Sequence, residues 1–244
     1  MNHQPIPELL HQQLTRLGEK RAAFARMAAP AVESLCDRLR VAFTYASNAL
    51  EGNTLSLQET QLIAKGLAPG QDKTLREVNE AIHHFAALKQ VEQWAAEGRG
   101  ISASRLLGLH RIVVRGAESP GDERLLRNPV VTPHRPEIAA QIAEKLTALI
   151  DWTGHDTLHP VLLAAVTHLR FESLRPFLDE NRRTGRLFLN WQLLRAGFPL
   201  TVIQVEERAR YLDALEQGHA GNLLPLQILL AAAVERSLDL TCST

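Results

Sequence analysis

The chain has 244 residues, of which 45% are apolar and 22% are charged, as in ordinary soluble globular proteins. Its 27 Lys and Arg residues balance its 27 Asp and Glu residues, so no overall charge attracts nucleic acid or a membrane surface. Two cysteines, Cys36 and Cys242, disfavour a disulfide framework or a zinc cage. We find no apolar run long enough for a membrane span and no leader pattern, so we expect a cytoplasmic protein.

The first half of the chain has the apolar periodicity of helices, which predicts an all-α fold. Ser56 with Glu59 forms a capping-box pattern that opens a short helix, and Thr74 with Glu77 opens a longer one. The longer helix is predicted to bury one face, formed by apolar residues that recur every three or four positions: Leu75, Val78, Ile82, Phe85, Leu88 and Val91.

The second half continues with helices. An amphipathic helix is predicted at 138–152, and a central buried helix at 161–174, where the sequence is apolar nearly all round. The next apolar helix, at 184–194, stops at Gly197. Two further helices are predicted at about 206–215 and 222–238. The best strand signal is at 128–133, which is short, bracketed by prolines and suited to a small edge hairpin.

A charged cluster separates the two most apolar helices. Pro176 is expected to end the first, because the residue before a proline avoids the α region. Arg183 and Arg186 share a face at the start of the second helix, where free backbone N–H groups also favour a phosphate. Asp179 is placed to hold a Mg²⁺ ion that bridges phosphates. A closed structural network of ion pairs is the alternative, and the residues alone leave both open.

This cluster resembles the signature of the Fic family, His-x-Phe-x-Asp/Glu-Gly-Asn-Gly-Arg-x-x-Arg. Segment 175–186 keeps five of its positions: Phe177, Asp179, Asn181, Arg183 and Arg186. Upstream, Ser-Asn-Ala-Leu-Glu-Gly at 47–52 resembles the family's inhibitory motif, Ser/Thr-x-x-x-Glu-Gly/Asn. Flanking motifs follow in the family's order over roughly residues 35–240.

The resemblance implies a Fic fold, an all-α domain with a small β-hairpin flap. It divides the chain into an N-terminal helical region at 1–100, which carries the inhibitory motif, and a Fic core domain at 101–244. It also assigns Val130 and Val131 to the flap, which clamps a target protein as an added strand. Family relatives often dimerise, so a homodimer is one implied assembly.

Fic proteins typically move AMP from ATP to a Ser, Thr or Tyr hydroxyl of a protein. Carried over by position, the resemblance implies that Asp179 holds Mg²⁺ and that Asn181 cradles the α-phosphate of ATP. It implies that Arg183 and Arg186 contact the outer phosphates.

The resemblance also gives roles to the inhibitory motif, in which Ser47, Glu51 and Gly52 occupy the family's positions. Glu51 is implied to pair with Arg186 and to keep the γ-phosphate from seating productively.

Three positions depart from the family pattern. The catalytic His, which takes the proton from the target hydroxyl, is replaced by Arg175, and a guanidinium cannot accept a proton near neutrality. General-base catalysis contributes roughly 10²–10⁴-fold in rate, so ordinary AMP transfer should be absent or feeble. The two glycines are replaced by Glu180, which brings a carboxylate toward a phosphate, and Arg182, which adds a positive contact. We therefore expect an altered anion pocket.

Three side chains, one carboxylate and two histidines, are candidates for a substitute base. Glu180 is the nearest, provided that burial raises its pKa. His168 lies two turns before Arg175 and is expected to be packed in the core. His134, near the presumed flap, is expected to be a solvated loop residue.

Three functions stay open at this stage. The first is a pseudoenzyme, in which an anionic ligand acts through the Glu51 helix and the flap as a regulatory switch. The second is an enzyme with changed chemistry on a nucleotide or another phosphorylated or carboxylated metabolite, with Arg175 as a clamp and Glu180 as a base. The third is a helical interaction protein with a closed ion-pair loop. DNA binding is disfavoured by the balanced charge and the lack of a basic helix.

Overall fold

The computed structural model describes residues 6–70, 72–117 and 136–240, and these parts are built from α-helices joined by short connections. The predicted all-α fold is confirmed for them. The predicted hairpin at 128–133, with Val130 and Val131, and His134 lie outside the described residues. The helices are α1 Glu8–Phe24, α2 Ala29–Ala49, α3 Leu57–Ala64, α4 Leu75–Ala96, α5 Ala103–Ala117, α6 Pro136–His155, α7 Pro160–Leu174, α8 Asn181–Arg195, α9 Arg208–His219 and α10 Leu224–Asp239.

Local sequence signals account for several helix ends. Both predicted capping boxes are present: the N–H of Glu59 donates to Ser56 Oγ at 3.2 Å, and the N–H of Glu77 donates to Thr74 Oγ1 at 3.2 Å. Each serine or threonine thereby satisfies a backbone donor that the first turn of a helix leaves unpaired. Helix α8 ends before Gly197, whose φ of 81° is the left-handed conformation that glycine adopts most readily.

Helices α7 and α8 form the centre of the fold, since each contributes to both large apolar clusters. One cluster joins them to α1, α9 and α10, and the other joins them to α2, α4, α5 and α6. Both clusters therefore combine residues from before and after position 100, and the boundary drawn there stays a prediction. No helix in the described parts of the chain has the length and apolar character needed to span a lipid bilayer.

The buried face of α4 differs from the predicted one. Leu75 and Ile82 are 80% and 46% exposed, whereas Leu88 and Val91 are buried as expected. In the first half of α4 the buried positions are occupied by the polar residues Glu80 and His84. Glu80 pairs with Arg183 of α8, and His84 contacts the hydroxyl of Thr44 on α2. Apolar periodicity was wrong there because a buried ion pair occupies the inward positions.

Candidate functional site

The loop between α7 and α8 carries the predicted cluster. Helix α7 ends at Leu174, as the following Pro176 predicted. Arg175 has φ 43° and Glu180 has φ 60°, and they are the non-glycine residues with positive φ in the described parts of the chain. Left-handed backbone costs roughly 1–2 kcal/mol per residue without glycine, so the surrounding contacts must hold this loop in place.

Asn181 closes the loop with both ends of its amide. Its Oδ1 accepts from the N–H of Phe177 at 3.0 Å, and its Nδ2 donates to the carbonyl of Phe177 at 2.8 Å. Its side chain is buried and has both of its polar atoms engaged in shaping the loop. The Asn181 side chain thus stabilises the conformation of the loop. The phosphate contact implied for it stays a prediction.

His110 of α5 packs against the same loop. Its ring stacks on Phe177 with the centroids 3.8 Å apart, and its Nε2 lies 3.0 Å from the backbone carbonyl of Asp179. Burial lowers the pKa of His110 to about 4, so the ring is neutral near neutrality and donates this hydrogen bond. Phe177 is 2% exposed, which confirms that it is a packing residue. The carboxylate of Asp179 is left at the surface of the loop, where Oδ1 accepts from the N–H of Glu180 at 2.8 Å.

A cavity of about 490 Å³ opens in front of this loop. Its walls come from α2, α4, the C-terminal end of α7, the loop, the start of α8, and α9. Most of its lining is charged, and the lining residues are Glu51, Arg76, Glu172, Arg175, Asp179, Glu180, Asn181, Arg182, Arg183, Leu212, Leu215, Glu216 and His219. Arginine side chains beside a helix N-terminus are an arrangement that can bind an anion.

Arg186 joins α8 to the inhibitory motif at the end of α2. Its Nε donates to Ser47 Oγ at 3.0 Å, its Nη2 to the Ser47 carbonyl at 2.7 Å, and its Nη1 to Glu51 Oε1 at 2.9 Å. Gly52 follows with φ 96°, so the turn after Glu51 uses a conformation suited to glycine. The structure therefore brings together Glu51 and Arg186, the two side chains that the resemblance paired, and adds Ser47 to their contact.

Glu51 is held by a second arginine. Arg182, which is 46% exposed, places Nη1 3.3 Å from Glu51 Oε2. Burial opposes ionisation of Glu51, but Arg186 and Arg182 outweigh it and keep its pKa below the ordinary value. Arg182 thus contacts the inhibitory carboxylate, in addition to lining the cavity.

Arg183 points away from the partners of Arg186. It lies between Glu80 of α4, at 3.1 Å, and Glu180, at 3.3 Å, and its side chain is 4% exposed. Arg76 contacts the other oxygen of Glu80 at 3.0 Å. Arg183 and Arg186 therefore do not point to a common site as predicted, because Arg183 pairs with Glu80 on α4 and Arg186 pairs with Glu51 in the turn after α2.

Two buried carboxyls line the cavity. Burial raises the pKa of Glu180 to about 7 against the opposing effect of Arg183, and burial raises the pKa of Glu172 to about 7 against Arg186 and Arg182. Glu172 Oε2 is 4.0 Å from Arg182 Nε, and Oε1 has no hydrogen-bond partner among the described residues. The pKa condition set for Glu180 as a base is met, but its carboxylate faces Arg183.

Arg175 contrasts with these residues. It is exposed, lines the cavity, and has no carboxylate at ion-pair distance within the described parts of the chain. His168, one turn further into α7 than Glu172, is 1% exposed and lies 2.6 Å from the hydroxyl of Tyr211. Burial lowers the pKa of His168 to about 3, and the prediction of a packed core histidine is confirmed.

Known proteins with this arrangement identify the family. The model of the Fic/DOC family matches residues 100–193. The solved structure of Fic-1 from C. elegans, residues 134–508, superposes with a TM-score of 0.83 at 30% identity, over 96% of this chain and 72% of that one. The chain belongs to the Fic/DOC family. A Fic domain containing signaling protein from Bacteroides thetaiotaomicron has a TM-score of 0.78 at 27% identity, over 94% of this chain and 96% of that one.

Other Fic relatives carry names that state an activity. The protein adenylyltransferase Fic of Nematostella vectensis is 32% identical over 200 residues, which are 80% of this chain and 47% of that protein. The protein adenylyltransferase fic-1 of Caenorhabditis elegans is 34% identical over 208 residues, 81% of this chain and 40% of that protein. The chain thus spans less than half of the length of these two relatives.

Several residues of this Fic site were not predicted as site residues from the sequence, among them Arg76, Glu80, His110 and Glu172. Glu80 could have been predicted, because a carboxylate at an inward position of a helix needs a buried cation. Glu172 could have been predicted in the same way, because it interrupts an otherwise apolar helix. His110 had no local signal, because its contact with the loop depends on tertiary packing alone.

Proposed function

We propose that this Fic-family chain binds an anionic ligand, by resemblance a nucleotide phosphate, in the cavity beside α8 and does not transfer AMP at a normal enzymatic rate. It then acts as a pseudoenzyme or regulatory switch, in which the Glu51 segment responds to the ligand. The relatives named protein adenylyltransferase support descent from an AMP-transferring protein. The activity, substrates and partners of this chain are part of the proposal.

The observation that carries the proposal is the position of Arg175. It occupies the signature position of the catalytic His, at the mouth of the cavity, and it is exposed there. A guanidinium stays protonated and has no lone pair with which to take a proton from a hydroxyl. Loss of general-base catalysis costs roughly 10²–10⁴-fold in rate. The same cation is well suited to receive an anion.

The ionic lining supports a role for Mg²⁺ that depends on the ligand. Asp179 is exposed at the cavity and offers one carboxylate. One carboxylate together with phosphate oxygens is a donor set that Mg²⁺ accepts, so Asp179 fits as the protein ligand when a phosphate is bound. When bound, the ion would neutralise phosphate charge. The chain itself orients the loop through Asn181 and His110.

The arrangement of Glu51 supports autoinhibition. Its carboxylate contacts both Arg186 and Arg182, so an anion that needs either arginine must compete with Glu51. The segment 47–52 would then move when such a ligand binds. A protein target at the flap, with Val130 and Val131, and a homodimer belong to the same proposal by resemblance.

An enzyme with changed chemistry is the second candidate, and the two buried carboxyls favour it. Glu172 and Glu180 line the cavity, and burial raises the pKa of each to about 7, which is the range suited to general acid–base catalysis near neutrality. Glu172 is the better placed of the two, because one of its oxygens has no hydrogen-bond partner among the described residues, while Glu180 pairs with Arg183. This candidate predicts turnover of a nucleotide or another phosphorylated metabolite.

Radiolabelled ATP tests the proposal. We expect no protein labelling in cell lysate by the wild-type chain or by Glu51→Gly, in which the inhibitory carboxylate is removed. Thermal shift with ATP and other nucleotides should raise the melting temperature, because a ligand that binds only the folded state stabilises it. Rapid labelling by either protein would exclude the pseudoenzyme, and consumption of a nucleotide without labelling would favour the second candidate.

A further inference from the structure

The arginines around the cavity differ in whether a carboxylate already neutralises them. Arg183 is buried between Glu80 and Glu180, at 3.1 and 3.3 Å, with 4% of its side chain exposed. Nε and Nη1 of Arg183 have no hydrogen-bond partner among the described residues, yet a phosphate that approaches them must share this guanidinium with two buried carboxylates. Weakening those pairs is costly away from water.

Arg186 and Arg182 are both engaged by Glu51. Arg186 is 2% exposed and also donates to the side chain and the carbonyl of Ser47. Arg182 keeps more solvent access, yet its Nη1 lies 3.3 Å from Glu51 and its Nε lies 4.0 Å from Glu172. A ligand that needs these two guanidinium groups must break the contacts that fix the end of α2.

Arg175 is the exception among the cavity's arginines. It has no carboxylate at ion-pair distance in the part of the chain that the structure describes, and it is exposed to the cavity. Binding a phosphate group there breaks no existing pair. The first-turn N–H groups of α8, which a helix leaves unpaired, lie at the other end of the same loop.

The carboxylates of the cavity limit how much negative charge it can take. Glu51, Asp179 and Glu216 line it with their carboxylates, and Glu172 and Glu180 add negative charge when they are ionised. Like charges in a partly enclosed site repel strongly because the surroundings screen them less than water does. A chain of three phosphates meets this repulsion along its length, whereas a single phosphate at Arg175 meets less of it.

We propose that this cavity selects a ligand that carries one phosphate group, held by Arg175, over a nucleoside triphosphate. The inference rests on the proposed function, in that the cavity must bind an anion. It adds the class of ligand, and it assigns the preference to Glu51, which pairs with Arg182 and Arg186, and to Glu180, which with Glu80 encloses Arg183.

Calorimetric titration of the full chain tests this ligand class. The probes are AMP, inorganic phosphate and ATP, the last with and without Mg²⁺. We expect AMP to bind more tightly than ATP under both conditions. If the site binds only the phosphate group, inorganic phosphate should bind as tightly as AMP. If the site also contacts the nucleoside, inorganic phosphate should bind more weakly than AMP.

Variants assign the site to its residues. Arg175→Gln should weaken AMP binding at least tenfold, while Arg26→Gln, an exposed arginine at the end of α1 and outside the cavity lining, should leave it unchanged. Glu51→Gly combined with Glu180→Gly frees Arg182 and Arg186 from Glu51 and leaves Arg183 with Glu80 alone, so it should shift the preference toward ATP at least tenfold. Circular dichroism checks that each variant is folded.

Failure of the one-phosphate preference and failure of anion binding give different results. Binding of ATP by the wild-type chain that is as tight as that of AMP, or tighter, would overturn the inference and leave anion binding intact. AMP binding that is unchanged by Arg175→Gln would overturn the assignment to Arg175. If the wild-type chain and the double variant bind none of the probes, the proposed anion-binding function fails as well.

Discussion

The last turn of α7 and the first turn of α8 lie on either side of one loop, yet they treat their arginines in opposite ways. Arg183 and Arg186 on α8 are buried and paired with carboxylates from α4 and α2. Arg175 at the end of α7 is exposed and unpaired among the described residues. The arginines kept from the family signature therefore join neighbouring parts of the fold, while the substituted arginine faces the cavity.

The largest effect is expected where a buried arginine is removed. Arg186→Met leaves the Ser47 carbonyl and one side of Glu51 without their partner, so the free energy of unfolding should fall by about 3–5 kcal/mol. Urea denaturation measures this fall. Arg26→Met, at an exposed position, should change it by less than about 0.5 kcal/mol. Equal effects of the two substitutions would remove the distinction between structural and free arginines.

A pH-dependent effect is expected from Glu172. Burial raises its pKa from 4.5 to about 7. At pH values between these two, the folded state therefore holds a proton on Glu172 that the unfolded state has released. The free energy of unfolding should therefore fall as pH rises from about 4.5 to about 7, by on the order of 1–3 kcal/mol for this group. Glu172→Gln should flatten that fall.

Denaturation at about pH 5 and about pH 8 measures the contribution of Glu172. The control is Glu19→Gln, an exposed carboxylate on α1. If Glu172→Gln and the control give the same pH dependence as the wild-type chain, Glu172 is not protonated in the folded state near neutrality.

A smaller effect is expected for the contact between Glu51 and Arg182. Since Arg182 is 46% exposed, solvent screens the pair, and a double-mutant cycle should give a coupling of about 0.5–1 kcal/mol. The cycle uses Glu51→Gln, Arg182→Gln and the double variant. The same cycle with Arg186→Gln should give a larger coupling, because that arginine is buried. A larger coupling for Arg182 would reverse the ranking of the two contacts.

The smallest effect is expected at Arg175. Arg175→Gln should change the free energy of unfolding by less than about 0.5 kcal/mol, because the side chain is exposed and either residue is equally strained at φ 43°. Thermal denaturation without ligand measures it. A loss comparable to that of Arg186→Met would mean that Arg175 supports the fold, and the contrast between the two turns would disappear.

Much of the fold follows from local signals in the sequence. The capping boxes of Ser56 and Thr74, the end of α7 at Pro176 and the end of α8 before Gly197 each depend on a few neighbouring residues, which is why they were predictable. The apolar face of α4 was predicted less well. Its inward positions include Glu80, whose partner Arg183 lies on a helix that is distant in the sequence.

The candidate site was predictable in part of its membership but not in its pairing. The sequence and its family resemblance gave the residues of the loop and the contact between Glu51 and Arg186. They did not predict that Arg182 also contacts Glu51, or that Glu180 faces Arg183. Which carboxylate meets which arginine depends on the rotation and spacing of packed helices, and motif spacing does not fix these.

The most direct test of the account exchanges the residue at position 175. In a background with Glu51→Gly, Glu180→Gly and Arg182→Gly, AMP transfer from radiolabelled ATP to protein is compared between the chain that keeps Arg175 and the chain that also carries Arg175→His. The account predicts that labelling requires the histidine and that the arginine form gives a rate roughly 10²–10⁴-fold lower. Equal labelling by the two proteins would show that proton abstraction does not depend on this position, which would contradict the account.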